Sequence, residues 1–323
     1  MARTRCYQKG KLVSEDFPLN KVSEHLAKPG AVVWIDLTDP NRDELSLLAE
    51  EMKLHVLAVE DALEVQQRPK LDQYSDHLFL SAYQASFEPG SVEVKVHEIA
   101  AFITENALVT VHPDAELDFS PIVQRWDAQP DLAKYGVSFL VHGLLDYLVD
   151  GYFEAVQGLD DQIEDLEGDL FETSVKQDVI QRRTFALRKS LVKLRRVILP
   201  MREVINTLLR RDLHLLHEEM SPYYEDVYDH VLRATEWTES LRDLVSSILD
   251  ANLAIQGNRL NIITKKVTGW AAIIAVPTLI TGWYGQNVPF FGFSQLSGVL
   301  TSAGLIVGGV AVLYLVFRRN DWI

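Results

Sequence analysis

Charged residues disappear from the chain near its carboxyl end, and this change of pattern predicts where it crosses a membrane. No Asp, Glu, Lys or Arg occurs between Val267 and Phe317, whereas the residues before them are densely charged. Two apolar runs lie in this region, Val267–Gly285 and Leu296–Phe317. At about 1.5 Å per helical residue, each is long enough to cross a hydrocarbon core of about 30 Å. A buried hairpin of a soluble protein is the alternative, and the aromatic ends and basic flanks of the runs disfavour it.

The basic residues around the two runs predict their orientation. Lys265 and Lys266 precede the first run, Arg318 and Arg319 follow the second, and the loop between the runs is uncharged. Because positive charge favours the cytoplasmic side, we expect both termini in the cytoplasm and the short loop outside. The pattern is that of a multi-pass protein of the cell (inner) membrane.

The residues before the membrane segments predict an α+β body that becomes wholly helical. Four runs read as strands, namely Ala31–Leu37, Leu78–Phe87, Val92–Thr104 and Leu108–Val111. Helical spacing then predicts an acidic helix over Ser138–Glu172 and a basic helix from Val175 to about Leu213. A solvated hairpin is the simplest interpretation of two such neighbours.

A third helical pattern continues from the body into the membrane. Apolar residues keep helical spacing after Pro222, and the next proline is Pro277. An unbroken helix over Tyr223–Gly285 would be roughly 95 Å long. The predicted fold is therefore an α+β cytoplasmic domain, a long-helix stalk and two transmembrane helices. The predicted segments are an α/β domain over 1–135, a helical hairpin over 136–222, the stalk over 223–266, transmembrane helices over 267–285 and 296–317, an outer loop over 286–295 and a basic tail over 318–323.

One face of the long helix carries small or polar residues throughout. This small-residue stripe consists of Asn261, Thr264, Thr268, Ala271, Ala275, Thr278 and Gly282. Steps of three and four residues place its members on one face. Such a stripe fits either close packing between membrane helices or the lining of a pore. Because two helices per chain cannot enclose a pore, the second interpretation also predicts an oligomer.

Net charge and motifs exclude several classes of function. The chain of 323 residues has a formal net charge of −15, which disfavours nucleic acid and concentrates cations. Cys6 is the single cysteine, so no intrachain disulfide forms, as expected in the cytoplasm. Neither a G-x-x-x-x-G-K-[ST] loop nor a nucleophile–His–acid set occurs, so we predict no enzyme, no ATP-driven pump and no organic cofactor.

Gly285-Gln286-Asn287 follows the first membrane segment and offers neutral oxygen ligands. Mg²⁺ holds its water molecules strongly and prefers octahedral oxygen ligation. A ring of asparagine oxygens accepts hydrogen bonds from those waters without removing them. The glycine allows the backbone to turn out of the helix.

Taken together, these features resemble the CorA family of magnesium and cobalt channels over nearly the whole chain. The resemblance rests on Tyr284-Gly285-Gln286-Asn287, the two terminal spans with their basic tail, and the segments Val59–Lys70, Pro200–Glu203 and Asp226–His230. It implies a homopentamer whose first span lines the pore. It also implies an ion-binding tripeptide at Gly285 and Asn287, where Gln286 replaces the usual Met. Ala275 stands where some members have a bulky residue that narrows the pore, which moves the expected constriction elsewhere, for example to Val267.

The resemblance further implies regulation by cytoplasmic Mg²⁺ at acidic residues between subunits. The matching positions are Asp61, with Glu60 beside it, and Asp226. Bound Mg²⁺ would hold neighbouring subunits together, and like charges would repel when the ion leaves. Surface acids without a function are the alternative for these residues.

We therefore expect a homopentamer in the lipid bilayer that carries divalent cations, with Mg²⁺ as cargo and regulator and Co²⁺ as a second cargo. A zinc or other transition-metal transporter of the same family is one alternative. A membrane-anchored cation sensor without transport is another.

Overall fold

The computed structural model describes residues 2–64, 67–113, 115–171, 176–210, 217–286, 289 and 292–323. The chain divides into two compact units, Met1–Ile248 and Leu249–Ile323. The first unit contains one mixed sheet with helices packed on it, and the second contains membrane-type helices.

A seven-stranded sheet organises the first unit. Its strands are β1 (Ala2–Gln8), β2 (Lys11–Glu15), β3 (Ala31–Thr38), β4 (Lys70–Gln73), β5 (Leu78–Phe87), β6 (Val94–Ile103) and β7 (Ala107–His112). Their order across the sheet is β2-β1-β3-β7-β6-β5-β4. The β3–β7 pair is parallel, with Val33 opposite Ala107, and all other pairs are antiparallel. The four runs predicted as strands correspond to β3, β5, β6 and β7.

The helices are α1 (Val22–Leu26), α2 (Arg42–Met52), α3 (Val56–Leu63), α4 (Ser120–Ala128), α5 (Val137–Phe171), α6 (Gln177–Leu208), α7 (Ser221–Tyr284) and α8 (Leu296–Arg319). Local chemistry sets the bounds of α2. The Asn41 side-chain oxygen accepts a hydrogen bond from the backbone N–H of Glu44, and the Glu44 carboxylate accepts one from the backbone N–H of Asn41. Lys53 ends the helix in the left-handed conformation.

Apolar side chains cover both faces of the sheet, which explains the nearly continuous apolar runs in its central strands. On one face Val33, Ile35, Phe79 and Phe102 are buried in a core that also takes residues from α2 and α3. On the other face Trp34 packs edge-on against Trp126, with ring centroids 5.0 Å apart. Because Ala58 of α3 belongs to the first of these cores and Ala62 packs against it, the carboxyl end of α3 lies close to the sheet.

The two long helices of the body confirm the predicted acidic and basic pair. α5 starts one residue before the predicted bound. The predicted end of the acidic helix at Glu172 and both predicted bounds of the basic helix, Val175 and Leu213, lie outside the described residues. α6 does not only pair with α5 as a solvated hairpin would, because it also packs on the sheet. Ser190 Oγ donates to the Val92 carbonyl at 2.6 Å, and Lys193 Nζ donates to the Val94 carbonyl at 2.8 Å.

The long third helix is also confirmed. α7 runs without interruption from Ser221 to Tyr284, with Pro277 inside it. α8 ends at Arg319, two residues beyond the predicted span. Both helices have a window long and apolar enough to cross a membrane.

Acid is expected to destabilise the body through His77. This side chain is buried, neither ring nitrogen has a hydrogen-bond partner among the described residues, and the ring stacks on Tyr74. Desolvation lowers the pKa of His77, the His55 charge lowers it further, and Asp76 opposes the shift. The unfolded chain therefore takes up the proton first as the pH falls through about 6.5, and stability decreases by up to about 1.4 kcal/mol per pH unit.

Thermal unfolding of the purified protein at pH 7.5 and pH 5.5 measures this effect. His77→Phe keeps the stacking and removes the titration, so its stability should change less between the two pH values. Equal acid sensitivity in the variant and the wild type would contradict the assignment.

Candidate functional site

The small-residue stripe lies on an open face of α7. All seven members are exposed in the single chain: Asn261, Thr264, Thr268, Ala271, Ala275, Thr278 and Gly282. At 3.6 residues per turn they share one side of the helix. Val267, the expected constriction, is 63% exposed near the edge of this face.

α8 packs on the opposite face of α7. Ile273 is 7% exposed, and a Cβ added to Gly309 of α8 would lie 2.9 Å from Val276. Tyr284 also lies on this side, with its hydroxyl 3.4 Å from that of Thr301 on α8. The close packing made by the chain itself therefore uses a different face. The small-residue stripe is left for copies of the chain or for water and ions.

Backbone bonds fix the hydroxyl groups around Pro277. Thr278 Oγ1 donates to the Ile274 carbonyl at 3.0 Å, and Thr281 Oγ1 donates to the Pro277 carbonyl at 2.8 Å. Because the proton of Thr278 is used in this way, its oxygen presents lone pairs to the open face. Lone pairs accept hydrogen bonds from the water shell of a cation.

At its carboxyl end α7 stops where the tripeptide begins. The Gly285 amide still donates to the Thr281 carbonyl at 2.8 Å, and the Gln286 amide donates to Trp283 at 3.3 Å. A Cβ on Gly285 would lie only 3.0 Å from the Thr281 carbonyl oxygen, so the close turn favours glycine. Gln286 is exposed, and Asn287 lies outside the described residues.

Asp61, the first predicted regulatory acid, is engaged by neighbours of its own chain. It lies on α3, and its carboxylate accepts hydrogen bonds from Lys70 Nζ at 2.6 Å and Gln67 Nε2 at 3.0 Å. Burial alone raises the pKa of Asp61, but these two bonds and the Lys70 charge outweigh it, so the pKa is lowered. The side chain is one quarter exposed and stays ionised at neutral pH.

Lys70 is shared between two carboxylates. Its Nζ also lies 2.9 Å from Asp72 Oδ2. Burial alone lowers the pKa of Lys70, and its bonds to Asp61 and Asp72 reverse this and raise it. A cation that binds Asp61 must therefore displace, or share the carboxylate with, a resident ammonium group.

The other two predicted acids are more accessible. Glu60 precedes Asp61 on α3 and is exposed. Asp226 lies in the first turns of α7, is 67% exposed and has His230 Nδ1 at 3.8 Å. Within the described part of the chain, no three His, Cys, Asp or Glu side chains come close enough together to hold a metal ion.

Sequence reasoning missed the partners of Asp61. Gln67 and Lys70 belong to the same short segment, Val59–Lys70, which carried the family resemblance. The fold places both side chains against Asp61, and sequence spacing alone does not reveal that contact. The available signal was a lysine close behind an acid in one segment.

Comparisons with known proteins agree on one family. The model described as CorA-like Mg²⁺ transporter protein matches residues 29–319. The chain is 30% identical, over 90% of its length and 83% of the relative, to the cobalt/magnesium transport protein CorA of Thermotoga maritima. It is 23% identical, over 79% of its length and 77% of the relative, to the zinc transport protein ZntB of Yersinia pseudotuberculosis.

A solved structure has the same fold over the whole chain. The complete CorA magnesium transporter of Methanocaldococcus jannaschii superposes with a TM-score of 0.81 at 23% identity. The match covers 100% of this chain and 99% of that one. The α/β body, the long helix and the two candidate transmembrane helices are thus shared.

Proposed function

We propose that this chain is a channel for hydrated Mg²⁺. The chain belongs to the CorA-like Mg²⁺ transporter family and is a divalent-cation transporter. The observation that carries the proposal is the open small-residue stripe of α7, opposite the face that α8 covers. Copies of this stripe, facing one another, form the pore. Both termini lie in the cytoplasm, and the protein resides in the cell membrane.

The lining suits a cation that keeps its water. Threonine and asparagine oxygens and small alanine and glycine residues leave room and accept hydrogen bonds from water. The region from Val267 to Phe317 has no ionisable acid and no histidine to carry protons. The membrane potential drives the ion, at about 2.3 kcal/mol per charge per 100 mV.

The same lining favours Mg²⁺ over Zn²⁺ as the cargo. Zn²⁺ binds best to cysteine and histidine, and Val267–Phe317 contains neither. Neutral oxygen atoms suit Mg²⁺ as ligands. Co²⁺, which takes a similar octahedral coordination, is the second cargo. Gln286 extends the neutral oxygen set of Gly285 and Asn287 at the mouth. A zinc transporter remains the alternative, because relatives of this chain include one named for zinc.

A pore made this way requires several chains, and we assign five. Light scattering of the detergent-purified protein tests the assembly. Five chains of 36.6 kDa give a protein mass of about 180 kDa. A monomer at 36.6 kDa would overturn the channel and favour the membrane-anchored cation sensor instead.

Asn287 is the residue expected to hold the hydrated ion at the mouth. Asn287→Ala removes the side-chain oxygen, so potential-driven Mg²⁺ entry into proteoliposomes should fall to background. Asn258→Ala is the matched control, because Asn258 is an exposed asparagine on another face of α7. Loss of entry in both variants, or in neither, would contradict the filter assignment.

Regulation is assigned to Asp61, Glu60 and Asp226. Asp226 and the small-residue stripe lie on one uninterrupted helix, so a change at the acid is transmitted along α7. Asp226 is exposed enough to meet Asp61 and Glu60 of a neighbouring chain. Cytoplasmic Mg²⁺ bridging these carboxylates holds the pore closed, and its loss lets like charges separate.

Lys70 sets the Mg²⁺ concentration at which this site fills. Lys70→Gln removes the ammonium group that competes for Asp61, so inhibition should shift to lower Mg²⁺, by about fivefold for a partly exposed pair worth about 1 kcal/mol. Lys95→Gln is the control, since Lys95 pairs with two exposed acids away from Asp61, Glu88 and Glu116. Current recordings at stepped internal Mg²⁺ measure the shift. No shift, or a shift to higher Mg²⁺, would mean that the ion does not compete for Asp61.

A further inference from the structure

We infer that a basic groove between the sheet and α6 binds a phosphate-bearing organic anion of nucleotide size. The groove has a volume of about 820 Å³, within the range of small-molecule sites. Residues 67–69, the facing parts of β5 and β6, and α6 from Lys193 to Pro200 surround it. It is separate from the proposed pore, and the inference does not rest on the proposed function.

The charge of the groove is opposite to that of the protein. Four permanent cations line it: Arg68, Lys193, Arg195 and Arg196. The carboxylate among its lining residues is Glu98, which accepts a hydrogen bond from the Gln67 amide at 3.1 Å. In a chain with a net charge of −15, a concave surface with this excess of positive charge draws anions to one place.

Two of the four cations are available to a ligand. Lys193 donates to a carbonyl and Arg195 pairs with Glu239 at 3.2 Å. Arg68 and Arg196 are exposed, and neither has a hydrogen bond or an ion pair within the part of the chain that the structure describes. A guanidinium group presents two parallel donors that match two oxygens of a phosphate. The two guanidinium groups of Arg68 and Arg196 therefore favour a phosphate group over a halide ion as the ligand.

Part of the wall is apolar. Val96, Val197, Leu199 and Pro200 line the groove beside the cations. An inorganic phosphate would leave these surfaces uncovered, whereas a ligand with an organic ring and a charged tail covers both. The class that combines these features is a nucleoside di- or triphosphate.

The groove is formed before a ligand arrives. Ser190 and Lys193 bond to the carbonyl groups of Val92 and Val94 and fix α6 against the sheet. Binding therefore orders few new groups and loses little conformational entropy. Arg188 and Lys189 of α6 lie outside the lining of the groove, beside the exposed ring of Phe185, and supply a matched control.

Calorimetric titration of the full-length, detergent-purified protein tests the inference. ATP, ADP and inorganic phosphate are the probes, in metal-free buffer with EDTA so that chelation by nucleotide is not measured as binding. The variants are Arg68→Gln/Arg196→Gln in the groove and Arg188→Gln/Lys189→Gln outside it. Both variants lose two positive charges, so the change in the net charge of the protein is the same in each.

The wild type should bind ATP more tightly than ADP and much more tightly than inorganic phosphate. The groove variant should lose affinity for ATP by about a hundredfold, since each charge-assisted contact is worth about tenfold or more. The control variant should stay within about twofold of the wild type. No saturable ATP binding, equal losses in both variants, or phosphate binding as tight as ATP binding would each overturn the inference.

Discussion

Replacing Thr278 with lysine is expected to abolish cation flux. In a pore lined by α7, the change places one ammonium group per chain beside the path of a doubly charged ion. At a separation of about 6 Å and an effective dielectric constant near 20, each such group raises the energy of the ion by about 5.5 kcal/mol. One group alone slows passage by about ten-thousandfold, and a ring of them stops it. Radioactive or dye-detected Mg²⁺ uptake into proteoliposomes measures the loss.

Two controls separate charge from size and from assembly. Thr278→Met adds a side chain of similar length without charge and should keep more flux than Thr278→Lys. Light scattering should give the same particle mass for both variants. Wild-type flux through Thr278→Lys would place the ion path away from the small-residue stripe.

Removing the two regulatory carboxylates is expected to produce the second large effect. In Asp61→Asn/Asp226→Asn the proposed intersubunit site loses the charges that bind Mg²⁺, so internal Mg²⁺ should no longer close the pore. The half-inhibitory concentration should rise by at least about tenfold, equivalent to about 1.4 kcal/mol of lost binding. Inward current at increasing internal Mg²⁺ measures this directly.

The control removes two exposed acids outside the proposed site. Asp43 lies on α2, and Asp229 is one turn from Asp226 on α7. Asp43→Asn/Asp229→Asn removes the same charge and should leave inhibition close to that of the wild type. Unchanged inhibition in the Asp61/Asp226 variant would mean that closure by Mg²⁺ uses other residues.

The membrane part and the long helices could be predicted from sequence because each has a strong and continuous pattern. The absence of charge from Val267 to Phe317 defines two spans, and unbroken helical spacing defines α7. These signals depend on the local chain alone. For the same reason the central strands, which are nearly continuous apolar runs, could be recognised without their partners.

Elements whose stability comes from distant residues could not be predicted. β1 carries Arg5, which is buried because its guanidinium group pairs with Asp127 at 2.7 Å and with Glu15 at 3.1 Å. Asp127 is far along the chain on α4, so nothing local marks this polar segment as a strand. β4 is short and half-exposed, and the sequence gives no alternation long enough to reveal it.

The candidate site divides in the same way. Periodicity placed the small-residue stripe on one face, but only the packing of α8 on the opposite face separates an open surface from a helix contact within the chain. The pairing of Asp61 with Lys70 depends on a turn between α3 and β4, and it changes the regulatory proposal from simple binding to competition with an ammonium group.

In the proposed channel, Mg²⁺ passes down the membrane potential past neutral oxygen ligands. Uptake into proteoliposomes measures this passage, with an imposed potential and with Mg²⁺, Co²⁺, Ni²⁺ and Zn²⁺ supplied in parallel at constant pH. We predict Mg²⁺ entry that increases with an inside-negative potential, ceases when the potential is dissipated and is unaffected by a proton gradient. Entry of Zn²⁺ without Mg²⁺, or entry that follows the proton gradient instead of the potential, would contradict the account.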